Sequence, residues 1–137
     1  MVKKDMENLK PEIGKLAKKH NLSLVLLYGS QARGKISKDS DIDIAVLGIR
    51  PISTEELIGL HNEFAQIFEV KEIDVKSLHS TDALFRYQVM RNAILLYGRS
   101  YDYNIFKAYA FRDYHDSKDL LRLKETLTKK RVQSFKI

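Results

Sequence analysis

The sequence predicts an α/β fold: a small mixed sheet covered by helices. Two observations carry that expectation. Short strand-length runs, apolar over 23–28 and alternating then apolar over 41–47, sit between segments whose apolar residues recur at helical spacing. A further short alternating run at 72–77 follows a helical segment, which is the order of a layered α/β unit.

The elements follow in chain order. Met6, Leu9, Ile13, Leu16 and Ala17 lie at helical spacing, with Pro11 opening or bending that helix and Asn21 ending it. Ser23–Tyr28 is continuous and apolar, as a buried strand requires, and Gly29-Ser30 breaks it. Asp41–Leu47 alternates and then becomes apolar, a second strand. Ser53-Thr54-Glu55-Glu56 is a capping box, opening a helix to about Phe68 with Leu57, Leu60, Phe64 and Ile67 on one stripe. Glu72–Ser77 alternates as a third strand, a helix covers about 81–92, and Ile94–Tyr97 makes a short fourth strand. The remainder, about 102–131, is helical in composition, with a break expected at Asp113–Ser117.

Length and composition narrow the function classes. The chain has 137 residues, room for one domain: a core over about 10–98 and a helical extension over about 101–131. It holds no cysteine, so disulfides, thiolate zinc sites and cysteine nucleophiles are excluded. The first residues lack the apolar run of a signal peptide, and no run approaches the ~20 residues that span a bilayer. A cytoplasmic protein is expected. The net charge of +6 is concentrated: residues 118–137 hold seven Lys/Arg against two Asp/Glu, while the other 117 hold 17 against 16. A nucleic-acid-binding domain more often spreads its basic residues along a face with stacking aromatics, so no direct nucleic-acid partner is expected.

The chemistry is carried by carboxylates. Residues two apart on a strand share a face, so Ile42, Ile44 and Val46 point inward while Asp41 and Asp43 point outward, about 6.6 Å apart. On the third strand Ile73 and Val75 point inward and Glu72, Asp74 and Lys76 outward. If the strands are neighbours, Asp74 stands beside the first pair. Three such carboxylates repel by roughly 2–3 kcal/mol per pair at an effective dielectric near 20. A hard divalent cation resolves that conflict, since Mg²⁺ takes one or two carboxylates plus phosphate oxygens. Upstream, Gly29 allows a sharp turn and close approach to a ligand. The amides of Ser30 and Gln31 at a helix start, with Arg33 and Lys35 nearby, form an anion cradle. A phosphate cradle followed by a carboxylate pair describes metal-assisted phosphoryl or nucleotidyl transfer.

These residues resemble a known signature. Gly29-Ser30-Gln31-Ala32-Arg33-Gly34, ten residues between Ser30 and Asp41, then Ser40-Asp41-Ile42-Asp43, are similar to the G-S-x-A-R-G…S-D-x-D pattern of the polymerase-beta-like nucleotidyltransferase superfamily. The chain looks most like its minimal nucleotidyltransferases (MNT), and within them the antitoxins of MNT–HEPN toxin–antitoxin pairs. The likeness extends to Glu72-Ile73-Asp74-Val75, to Ile94–Gly98 and to the aromatic helix with Arg112-Asp113-Tyr114, covering about 10–130. It implies the palm fold of that superfamily, a two-metal Mg²⁺ site on Asp41, Asp43 and Asp74, and ATP as substrate. It further implies that Asp74 helps deprotonate the attacking hydroxyl and that Gly29 and Ser30, with Gln31 and Arg33, hold the triphosphate. AMP would pass to a tyrosine of a HEPN RNase toxin, silencing it, and the pair could form a hetero-oligomer.

Plainer explanations stand beside these. Asp41, Asp43 and Asp74 could be solvated strand carboxylates, and Glu72 could replace Asp74 as ligand. Arg33 could pair with a body carboxylate, and Lys35 and Lys38 could be loop charges. His20, His61, His79 and His115 show no metal spacing and read as surface or cap residues. Tyr101, Tyr103, Phe106, Tyr109 and Phe111 read as core packing, and Arg112-Asp113-Tyr114-His115 is poor evidence for an RNase motif. Leu120, Leu123 and Leu127 form a stripe that packs on the body or on a partner helix. Two other functions compete: a stand-alone transferase acting on a small molecule such as an aminoglycoside, and a non-catalytic nucleotide-binding module that blocks a toxin sterically.

Overall fold

A computed structural model describes residues 3–29, 42–70 and 72–134. Helix α1 (Lys3–Lys19) leads into strand β1 (Leu22–Tyr28), and β2 (Ile42–Gly48) is followed by α2 (Thr54–Phe68). Strand β3 (Ile73–Ser77), a single 3-10 turn at Leu78–Ser80, α3 (Ala83–Asn92), β4 (Ile94–Tyr97) and α4 (Ser100–Ser134) complete the chain. The sheet order is β3-β2-β1-β4, with β2 and β3 parallel and both other pairings antiparallel. The mixed sheet expected from the sequence is therefore present, with α2 as the crossover that makes a parallel β2–β3 pair possible.

Local chemistry accounts for the boundaries. Pro11 lies inside α1, which neither starts nor stops there. Asn21 takes a left-handed conformation (φ 54°), which a short polar side chain tolerates, and turns the chain into β1. Ser53 caps α2, its Oγ accepting from the Glu56 amide at 3.2 Å. Asp82 does the same for α3, accepting from the Phe85 amide at 2.8 Å.

The helices form a layer on each face of the sheet. On one face α1 (Ile13, Leu16, Ala17) and α2 (Leu60, Phe64, Phe68) bury Val25, Leu27, Ile44, Val46, Ile73 and Val75. Full burial of each large side chain stabilises by about 1.5–3 kcal/mol. On the other face Val89 and Met90 of α3 and Ala110 of α4 cover Leu26, Ala45 and Leu78. This second layer is the smaller, and Tyr28, Leu47 and Phe85 sit at its margin.

The C-terminal segment departs from expectation. Helix α4 runs unbroken through Asp113–Ser117, where α3 engages Asp113, Tyr114 and His115. Asp113 Oδ2 accepts from Arg86 Nη2 at 3.1 Å, and Tyr114 stacks on Tyr87 with centroids 4.2 Å apart and planes at 13°. Core packing holds for Tyr103, Phe106 and Phe111, which flank the second layer, but Tyr101 and Tyr109 are exposed. Leu120, Leu123 and Leu127 do not pack on the body: they are 68%, 55% and 56% exposed.

Candidate functional site

The alternation of β2 and β3 sets the face on which carboxylates stand. Ile42, Ile44 and Val46 are buried in the first layer, which turns Asp43 to the face of Ala45 and Leu47. Ile73 and Val75 are buried in the same layer, which turns Asp74 and Lys76 to the opposite side. Parallel pairing then places Asp43 directly opposite Asp74 in register. Neighbouring strands lie about 4.8 Å apart, so two like charges stand side by side on one face. Lys76 Nζ, 3.8 Å from Asp74 Oδ1, offsets part of that charge, although both side chains are about half exposed and the pair is weak.

Strand β1 adds the third side of the site. Its antiparallel register sets Tyr28 opposite Asp43, so Tyr28, Asp43 and Asp74 form one row across three strands. The Tyr28 ring meets Phe85 of α3 edge-on, with centroids 5.7 Å apart. Its phenol is pushed well above the ordinary tyrosine range, chiefly by burial, then by the negative charges of Asp74 and Asp43. Sequence reasoning missed Tyr28, because a continuously apolar run has no alternation to assign its faces. The available signal was its place immediately before Gly29 and two residues after Leu26.

Gly29 closes the row at the end of β1. Its φ of +79° belongs to the left-handed region, and a Cβ built there would run into Asp43 Oδ2. The glycine is thus required twice, by conformation and by the close approach of the carboxylate. Ser30, Gln31 and Arg33 of the expected cradle, Asp41 of the expected pair, and Lys35 and Lys38 lie outside the described residues. Among the described residues no group of three metal-ligating side chains converges.

Other sequence candidates have structural places. His20 Nε2 lies 3.2 Å from Glu63 Oε1, joining the end of α1 to α2 far from the carboxylates. A cleft of about 730 Å³ lined by Ser23, Tyr97, Gly98 and Arg99 lies at the start of β1, the end opposite Gly29.

Chemically, the described row offers hard oxygen donors beside a turn that admits close approach. That donor set suits a hard divalent cation and its phosphate ligands, not a soft metal.

Comparison with known proteins agrees. The polymerase beta nucleotidyltransferase profile matches residues 11–102, which spans β1 through β4. A Methanocaldococcus jannaschii protein carrying the provisional name protein adenylyltransferase is 33% identical over 76 residues, 54% of this chain and 78% of its own. Among solved structures, a toxin–antitoxin with AMP-PNP superposes with a TM-score of 0.72 at 24% identity, over 86% of this chain and 98% of that one. A Shewanella oneidensis assembly of tri-AMPylated HEPN toxin with MNT antitoxin gives a TM-score of 0.68 at 21% identity, over 89% and 98%. At those identities the structural likeness establishes the fold, while the profile match covers more than half of the chain. The chain therefore belongs to the polymerase beta nucleotidyltransferase family, and it is an enzyme of the nucleotidyl-transfer class.

Proposed function

We propose that this protein transfers AMP from ATP, with Mg²⁺, to a tyrosine hydroxyl of a HEPN-type RNase and thereby acts as its antitoxin. The observation that carries the proposal is the in-register pairing of Asp43 with Asp74 beneath Gly29. Asp43 stands against the glycine bend and Asp74 in register beside it, so the pair offers hard oxygen donors to a cation and its phosphate ligands where the chain turns sharply. The AMP-PNP bound in one structural relative and the AMPylated HEPN toxin held by another support the choice of substrate and acceptor.

Asp41, Asp43 and Asp74 would hold Mg²⁺, which when bound neutralises the triphosphate and the charge that builds on it during transfer. Gly29 and Ser30, with Gln31 and Arg33, would bind the phosphates and orient the α-phosphorus. Asp74 accepts the proton of the acceptor hydroxyl as its oxygen bonds to that phosphorus. The bond between the α-phosphorus and the bridging oxygen breaks, pyrophosphate departs with the electron pair, and AMP remains on the acceptor. Tyr28 bounds the site beside Asp43 and keeps its own proton, so it adds no third negative charge there.

The test is intact-mass analysis of the HEPN-type protein after incubation with this protein, ATP and Mg²⁺. Addition of one or more AMP groups is expected, and Asp43→Asn should give none. An unmodified acceptor under wild-type conditions would overturn the proposal.

A further inference from the structure

The second half of α4 has no role in the fold. Every residue from 118 to 134 is exposed, whereas the first half of the helix packs against α3 and the second core layer. Within that exposed half stand Leu120, Leu121, Leu123, Leu127 and Val132, each more than half exposed. Leu120, Leu123 and Leu127 are spaced three and four apart and share one stripe. Helical stability in proteins comes mostly from packing of an apolar face, so five uncovered turns with this pattern call for a partner surface.

Charge identifies its chemistry. Between 118 and 134 six Lys/Arg stand against two Asp/Glu, and Arg122, Lys124, Lys130 and Arg131 flank the leucines. A second copy brings the same basic stripe, and its remaining 117 residues are nearly neutral, with 17 basic and 16 acidic side chains. An amphipathic helix with an acidic rim satisfies both the leucines and the cations. Position identifies the partner further: α4 belongs to the layer on the sheet face that carries Tyr28, Asp43 and Asp74. The free half continues directly from that packed half.

We infer that the exposed half of α4 is the docking arm for the acceptor protein, which it binds through an acidic amphipathic helix of that protein. This deepens the transfer reading above and rests on it for the partner's identity. Leucines at the centre of such a contact act as anchors, while the rim cations give salt-sensitive attraction.

The test pairs the full-length protein with the HEPN-type acceptor used for AMP transfer, measuring affinity by calorimetry at low and high salt. Leu123→Ser/Leu127→Ser should weaken the complex by about tenfold or more. Lys129→Glu/Lys130→Glu/Arg131→Glu should weaken it at low salt and remove most of its salt dependence. Both variants should keep the wild-type melting temperature and its rise with Mg²⁺–ATP, which separates docking from folding and from the nucleotide site. Unchanged affinity in the leucine variant would overturn the inference, as would a wild-type protein that forms no complex. Light scattering that shows the protein alone to be a dimer, made monomeric by the leucine variant, would overturn it in favour of a second copy. A complex that needs these leucines but transfers no AMP would leave the docking arm standing and defeat the transfer reading instead.

Discussion

Gly29 and Asp43 constrain each other, and that coupling gives the sharpest single-residue expectation. Gly29→Ala places a methyl group against the Asp43 carboxylate at a φ that L side chains rarely adopt. The strain should cost about 1–3 kcal/mol, read as a lower urea midpoint. Displacing the carboxylate should also lower AMP transfer by about 100-fold, as misplacement by an ångström does elsewhere. Unaltered transfer in a folded Gly29→Ala protein would contradict the role given to that bend. Tyr28 yields a pH dependence. The unfolded phenol titrates near pH 10, while folded Tyr28 keeps its proton to higher pH. Above about pH 10 the native state therefore binds more protons than the unfolded chain, and stability falls as pH rises. Tyr28→Phe should flatten that alkaline fall in urea midpoints, and an unchanged slope would count against it. The faces of Asp43 and Asp74 were legible because alternation with isoleucine and valine fixes them. Their registration was not, because pairing across 31 positions depends on the α2 crossover and on no local pattern.

Elements were legible wherever a cap or a period marked them, and illegible where a distant contact decided. Ser53 and the Ile94–Tyr97 run marked boundaries within a residue or two, and the helix expected over about 81–92 runs Ala83–Asn92. The polar stretch Asp113–Ser117 resembled a break, yet α3 supplies the partners that hold it helical. Arg86 is central: Nη2 donates to Asp113 Oδ2 at 3.1 Å, and Nη1 donates to the Thr81 and Leu78 carbonyls beneath it. This guanidinium ties α4 to the turn that follows β3, the strand of Asp74. Its side chain is 15% exposed and that of Asp113 31%, so water screens the pair only in part. Asp113→Ala should leave Arg86 without its counter-charge and destabilise by about 1–3 kcal/mol. Denaturant unfolding followed by circular dichroism checks it: a midpoint equal to wild type would mean that Tyr87–Tyr114 stacking alone secures the helix.

At the scale of the whole molecule, one sheet separates two jobs. The α1/α2 face holds the large core and the α3/α4 face holds the smaller one, whose margin opens onto the row of Tyr28, Asp43 and Asp74. The carboxylates thus sit on a rigid sheet, but at the edge of its thinner cover. Because a ligand bound only by the native state stabilises it by mass action, Mg²⁺–ATP should raise the melting temperature. At a concentration 100 times its dissociation constant the gain is about 2.7 kcal/mol. For a domain of this size that corresponds to a rise of roughly 10 °C, since each kcal/mol shifts melting by about 4 °C. The two components should act together: Mg²⁺ relieves the repulsion between carboxylates, and the nucleotide supplies the phosphate oxygens that complete its coordination. Either alone should therefore give a smaller shift than the pair. Asp43→Asn removes one of the carboxylates that would hold the cation, so the variant should lose the response to Mg²⁺–ATP. A scanning fluorimetry series across Mg²⁺, ATP and both separates these outcomes. A wild-type response equal to that of Asp43→Asn would mean that the acidic row is an ordinary feature of a strand surface and holds no cation.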